Sequence, residues 1–273
     1  MIHVICHPPN KHEPVRQSFA SAVRGLLLLF VFLGLTSGCS YLVPPAPVAD
    51  PAAEALVTRL NHANAGLAQF KWVGRLSLAR PNRPVQVYRA AVAGQHDDRL
   101  RIDLFSPVGG SAASFSSDGS DFYVIEHASR EYHKKAVGRG SLRAFVGLDI
   151  HIKDLLEFMA GRIPVETECV AQRVPVEEED APLELRLVDR RGRVRQRITL
   201  DQTMRPAAVV WFDSSGKAIY TLTITSLQDI DGFTVPRQMA LSDITGRRLS
   251  FRLDRFMANA PMSEDLFVLP PPP

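Results

Sequence analysis

Cysteine is scarce in this 273-residue chain, which has only Cys6, Cys39 and Cys169. The first two lie near the N-terminus, so Cys169 has no partner in the body of the chain. That excludes a disulfide framework and a zinc site built on thiolates. Long apolar runs are lacking too. The longest, Leu26 to Leu35, is about half of the roughly 20 residues that cross a bilayer as a helix. Catalytic spacings are also missing. No HExxH joins His127, His133 or His151, and no Gly-x-Ser-x-Gly elbow surrounds Ser111, Ser114, Ser116 or Ser117. The expectation is a protein that binds without chemistry and needs no cofactor or metal.

An excess of one charge is absent once the N-terminus is set aside. The chain has 32 Lys and Arg against 29 Asp and Glu, for a net charge of +3 and a pI of 8.9. Three of those bases and one acid lie in residues 1–38, which leaves 29 against 28 for the rest. A nearly neutral body removes the electrostatic case for nucleic-acid binding.

The N-terminus itself is informative. Lys11, Arg16 and Arg24 face a single acid, Glu13, and precede the apolar run. Small residues follow in Leu35-Thr36-Ser37-Gly38-Cys39, as in an export signal with its cleavage site. This segment resembles the lipobox of bacterial lipoproteins, with Thr36 standing where that motif has leucine. The resemblance implies that Cys39 becomes the acylated first residue. Ser40 in place of aspartate resembles an outer-membrane destination. Residues 1–38 then form a signal peptide, and removing them from 273 leaves a mature chain of 235. The proline-rich stretch to residue 50, with Pro44, Pro45 and Pro47, reads as an extended lipidated tether.

Beyond the tether, Asp50-Pro51 provides an N-cap and a first-turn proline, and Leu56, Leu60, Ala63 and Leu67 recur at helical spacing, predicting a helix over about 51–67. From Gln69 the period becomes two. Phe70, Trp72, Gly74, Leu76 and Leu78 share one face, and similar alternation predicts strands near 85–93, 99–105, 111–116, 121–126 and 131–135. Residues 138–164 interrupt this meander. Leu142, Phe145 and Val146 suggest a short helix, and Ile152, Leu155, Leu156 and Met159 a longer one, capped near Gly161. After the acidic run Glu177 to Asp180, alternation returns and continues to about 256. Altogether about ten or eleven strands are expected, with a hairpin turn at Arg191-Gly192. So long a sheet with one apolar face must curl to bury it. The expected fold is mainly β with a helical lid (α+β): a single curved antiparallel sheet, an unclosed barrel covered by helices. It spans 51–262, with 263–273 as a proline-rich tail lying along the body through Leu266, Phe267 and Leu269.

Trp72-Val73-Gly74-Arg75-Leu76-Ser77-Leu78, followed by Leu104-Phe105-Ser106-Pro107-Val108-Gly109 and then a helical insertion, resembles the LolB outer-membrane lipoprotein receptors. More broadly the chain is similar to the LolA/LolB/LppX lipid-binding fold. The resemblance implies an apolar cavity that takes acyl chains of lipoproteins or phospholipid from a soluble LolA-like carrier and delivers them to the outer membrane, with the protein a monomer. It also implies a membrane-touching loop at Pro107, Val108 and Gly109. The candidate cavity lining is Trp72, Leu76, Leu78, Leu100, Ile102, Leu104, Phe115, Leu155, Met159, Leu185, Leu187, Leu222, Ile224 and Phe251, for each of which ordinary core packing is the competing role. The alternation of Arg193, Arg195 and Arg197 suits either headgroup contact or a solvated face balanced by Glu184. Two other classes remain open: an envelope sensor or scaffold on the same fold that binds a protein partner, and a hydrolase of envelope polymers.

Overall fold

The structure, a computed structural model, describes residues 47–96, 98–136, 142–174 and 181–272. Residues 1–46, including the leader, Cys39 and most of the tether, lie outside the described residues. So do the acidic run Glu177 to Asp180 and the side chain of Phe145.

Thirteen strands form one antiparallel sheet. They are β1 Gln69–Ala79, β2 Gln86–Gln95, β3 Arg99–Phe105, β4 Ser111–Asp118, β5 Asp121–Glu126, β6 Glu131–Ala136, β7 Val170–Arg173, β8 Leu183–Val188, β9 Val194–Leu200, β10 Pro206–Phe212, β11 Ala218–Ile230, β12 Phe233–Ser242 and β13 Arg248–Ala258. The helices are α1 Pro51–His62, α2 Arg143–Val146 and α3 Ile152–Met159. Every strand pairs with its sequence neighbour except at one seam, where β1 meets β13. β6 and β7 are therefore the two edges of an unclosed sheet. The connection between them carries α2 and α3, whose Leu142, Ile152, Leu155, Phe158 and Met159 join the same buried cluster as the strands. The topology itself thus places helices over the apolar face.

More strands are found than the alternation predicts. β7 escapes detection because Val-Ala-Gln-Arg is too short to show a period. It matters nonetheless, because α1 is tied to it. Asp50 caps α1 by accepting from the Ala52 amide at 3.0 Å and pairs with Arg173 of β7 at 2.7 Å. The Arg173 guanidinium holds the Asp50 carboxyl below its ordinary pKa. Glu54 accepts from the Ala171 amide at 3.0 Å. One edge is therefore covered by a helix. The other, β6, is charged and exposed, with Glu131, Lys134 and Lys135, which discourages edge-to-edge association.

Helix α1 ends at His62, five residues short of Leu67, because Asn64 adopts a left-handed conformation (φ 52°) to pin other segments. Its side-chain amide donates to the carbonyls of Ala160 and Thr234, both at 2.7 Å, and accepts from the Thr234 amide at 3.1 Å. Arg162 completes the clamp. It donates to the Leu67 carbonyl at 2.9 Å and forms a two-point ion pair with Glu157. The end of α3 is thereby fixed to the start of β1.

A five-residue turn recurs along the second half of the sheet: Asp189 to Arg193, Asp201 to Arg205, Asp213 to Lys217 and Asp243 to Arg247. In each, the aspartate side chain accepts from the amides two and four residues on, as Asp213 does from Ser215 (2.8 Å) and Lys217 (3.0 Å). The fourth residue has positive φ and is glycine in three of the four, Met204 being the exception. The hairpin at Arg191-Gly192 is thus longer than a two-residue loop, with Asp189 organising it. The Arg193 side chain at Asp189, the Arg205 amide at Asp201 and the Ser215 hydroxyl at Asp213 hold those three carboxyls low; Asp189 falls to about 2.

Candidate functional site

Along β1 the alternation falls as expected: Phe70, Trp72, Leu76 and Leu78 are buried. Trp72 lays its indole across Gly74, at a bulge between Val73 and Gly74 in the pairing with β13, so a side chain at Gly74 would strike both the indole and the Arg252 carbonyl. The Trp-Val-Gly phrase is therefore a packing unit. It ends against Phe251, edge-on at 6.0 Å.

The two halves of the covered face differ. Over β8–β11, Leu185, Leu187, Ile198, Leu200, Val209 and Leu222 are fully buried. There Phe158 of α3 packs on Trp211 at 5.2 Å, and Trp211 stacks on Tyr220 at 4.7 Å. Over β1–β5 the helices leave a cavity of about 350 Å³. Its buried walls are Leu76, Leu78, Leu100, Ile102, Leu104, Phe122, Leu142, Leu155, Leu249 and Phe251, with Phe115 and Val146 half-buried. The small side chains of Ala112 and Ala113 leave the space open. Its exposed members, Gln86, Glu126 and Ala128, all sit at one end, joined there by half-buried Arg80 and Tyr88.

Of the residues singled out from sequence, eight line this cavity: Leu76, Leu78, Leu100, Ile102, Leu104, Phe115, Leu155 and Phe251. Trp72, Met159, Leu185, Leu187 and Leu222 are buried in packed core instead. Ile224 borders a separate 220 Å³ pocket beside Leu60, Ile163 and Met204. Periodicity reports which face is covered and cannot tell filled from unfilled space, which explains the division. The polar mouth, Arg80, Gln86, Tyr88 and Glu126, was missed. The alternation does place Arg80 and Gln86 in line with Leu78 and Tyr88, and that signal was available. A larger pocket of about 390 Å³ at the opposite end sets His96, Asp98, Lys153, Glu157 and Arg162 beside Leu67, Phe70 and Leu156, so its wall is more charged than that of the first cavity.

The end that carries the mouth, here the rim, also gathers the loops 80–85, 106–110, 127–130, 213–217 and 243–247, as the pairings Leu78 with Gln86, Phe105 with Ser111, Ala113 with Glu126 and Ala79 with Arg248 require. Val108 stands in the β3–β4 loop, 95% exposed. The loop is closed beneath it: the Ser106 amide donates to the Gly110 carbonyl and the Gly109 amide to the Ser106 carbonyl, both at 3.0 Å. Gly109 and Gly110 take φ of 95° and 84° there. Among the described residues ten large apolar side chains are exposed, and six of them lie at this rim: Val85, Val87, Phe105, Val108, Ile219 and Ile244.

The other constellations are resolved locally. His127 Nε2 lies 3.0 Å from Ser114 Oγ, which donates to Asp103 at 2.7 Å, and Asp103 is already held by Arg101 at 2.8 Å. The serine proton thus points at the carboxylate, the reverse of a nucleophile activated by histidine. His133 pairs with Glu131 at 3.6 Å and His151 precedes α3, so the three histidines are not brought together. Among the described residues no group of His, Cys, Asp or Glu is arranged to hold a metal. Arg193 pairs with Asp189 at 2.7 Å, and Arg186 and Arg197 with Glu184 at 3.0 and 3.3 Å, so those arginines serve the sheet's outer face. The tail packs on that face. Phe267 and Leu269 are buried, and the Phe267 carbonyl accepts from Ser116 at 2.6 Å.

No protein-family model matches this chain. No curated protein matches it either. Solved structures do. A DUF1329 family protein from Desulfovibrio piger superposes with a TM-score of 0.57 at 15% identity, covering 80% of this chain and 96% of that one. A LolA superfamily protein from Nitrosomonas europaea gives 0.54 at 14% identity, with 82% and 99% covered. A domain named for outer-membrane lipoprotein sorting, from Vibrio parahaemolyticus, gives 0.54 at 16% identity, with 79% and 96% covered. The chain therefore has a LolA-like fold: a single unclosed antiparallel sheet with a helical cover.

Proposed function

We propose that the protein is a lipid-anchored acceptor of acyl chains, taking lipoproteins or lipids from a periplasmic carrier and passing them to the outer membrane without chemistry. The observation that carries this reading is the coincidence of the apolar cavity's mouth with the rim of exposed apolar tips led by Val108. A bilayer touched by those tips would face the mouth directly. The fold shared with the LolA superfamily protein and the lipoprotein-sorting domain supports it. Cys39, acylated, would hold the mouth within reach of the receiving membrane.

The cavity sets a limit on the cargo. Water's share of liquid volume is about 30 Å³, and a methylene group is of similar size. A cavity of 350 Å³ thus admits on the order of ten methylenes, about one chain. At about 0.8 kcal/mol per methylene, that burial is worth roughly 8 kcal/mol. A cargo with three chains requires the lid to move. The lid's fastenings are the Asn64 clamp, the Asp154–Tyr220 hydrogen bond (3.1 Å) and the donation from Arg247 to the Gly147 carbonyl (2.9 Å). Depletion in the native cell tests the reading. Lipoproteins should accumulate on their carrier. Undisturbed delivery to the outer membrane, with nothing held on the carrier, would refute it.

A further inference from the structure

The mouth of the cavity holds a cation, Arg80, with no carboxylate paired to it among the described residues. Arg80 stands one residue past the end of β1, two beyond Leu78, at the rim, and is half-buried on the cavity wall with Gln86 and Tyr88. Its side chain makes no ion pair or hydrogen bond among the described residues, whereas Arg101, Arg162 and Arg193 are each matched to a carboxylate within 2.8 Å. The one acid on the same mouth, Glu126, stands on β5, four strands away from β1 in the sheet order, and forms no ion pair with Arg80. Its carboxylate repels an anion toward the Arg80 side of the mouth. A guanidinium placed where apolar wall gives way to solvent is partly stripped of water and offers a planar fork of donors, which suits a carboxylate or phosphate.

We propose that the cavity takes a single-chain amphiphile with an anionic head, its chain along Leu78, Ile102 and Leu104 and its carboxylate or phosphate held by Arg80. This rests on the reading of the cavity as an acyl-chain site and adds a preference for charge at the head. The preference also gives direction to the guest: chain inward, head toward the rim where the bilayer's own headgroups would lie.

The test is calorimetric titration of the full chain, kept in solution by a fluorinated surfactant at pH 8. The ligands are palmitate, palmitoyl lysophosphatidate, neutral monopalmitoylglycerol and inorganic phosphate. A charge-assisted contact at a half-exposed site is expected to give about a tenfold preference for the two anionic amphiphiles over monopalmitoylglycerol. Arg80→Gln should abolish that preference, so that the anionic and neutral amphiphiles bind alike, while Arg80→Lys should restore part of it. The ratio of palmitate to lysophosphatidate identifies the preferred head. Equal affinity for the neutral lipid in the wild type, or an unaltered preference in Arg80→Gln, overturns the proposal. Phosphate alone binding as tightly as lysophosphatidate overturns it too, since the chain would then play no part. If no amphiphile binds, the acyl reading of the cavity fails and this inference with it.

Discussion

Ala113→Phe tests most directly whether the space between sheet and lid is a binding site. Ala113 sits on β4 opposite Leu104 and Glu126, with its methyl group on the cavity wall. A phenyl ring there enters unfilled volume, so no buried neighbour has to be displaced. The fold should be as stable as wild type or slightly more so, since cavity filling and β-propensity act in the same direction. The guest suffers instead. Six ring carbons take the space of about five methylenes, and at about 0.8 kcal/mol each the loss approaches 4 kcal/mol. With tenfold per 1.4 kcal/mol, affinity for palmitate should fall by nearly three orders of magnitude. Isothermal titration reads the affinity and urea denaturation reads the stability. An affinity within threefold of wild type, in a variant that unfolds normally, would mean that the chain is bound elsewhere or not at all.

Val108→Asp should leave palmitate affinity and unfolding unchanged, because the side chain is 95% exposed, yet slow the transfer of a bound fluorescent lipid into vesicles at least tenfold. Asn64→Ala removes three hydrogen bonds that fasten the lid to β12 and α1's end; chemical denaturation should register a loss of about 2–4 kcal/mol. The pH dependence has two opposed parts. The carboxyls of Asp189, Asp201 and Asp213 sit below their ordinary value, Asp189 at about 2, so the stability they add is present above pH 4 and is lost as pH falls toward 2. Asp154, on α3 and facing Tyr220, is raised above 3.8 chiefly by burial, so its contribution is full below that value and declines as pH rises. Asp154→Asn, whose amide oxygen still accepts from Tyr220, should therefore match or exceed wild-type stability at pH 7. The gain should vanish below pH 4 in denaturation curves.

Alternation by itself determined most of the sheet. Leu76, Leu78, Leu100, Ile102 and Leu104 had to share a covered face because their polar neighbours could not be buried there, and the interruption at 138–164 had to supply the cover. The family resemblance points to the loop at Val108, which is exposed in the structure. The signal for Asp189 and its three counterparts was also present, as Asp followed four residues later by Arg or Lys. Tertiary structure alone decided which leucines enclose space. Leu185 and Leu104 carry the same local pattern, yet one lies in packed core over β8 and the other on an open wall, because Phe158 of α3 reaches down onto Trp211 over the first half, while Leu142, Val146 and Leu155 of the cover line the cavity over the second. It also decided that Arg80, Gln86 and Glu126, far apart in sequence, meet at one mouth. Periodicity records the direction of a side chain. Whether a neighbour from a distant strand or helix arrives to fill the volume it points into depends on how thirteen strands and their lid come together.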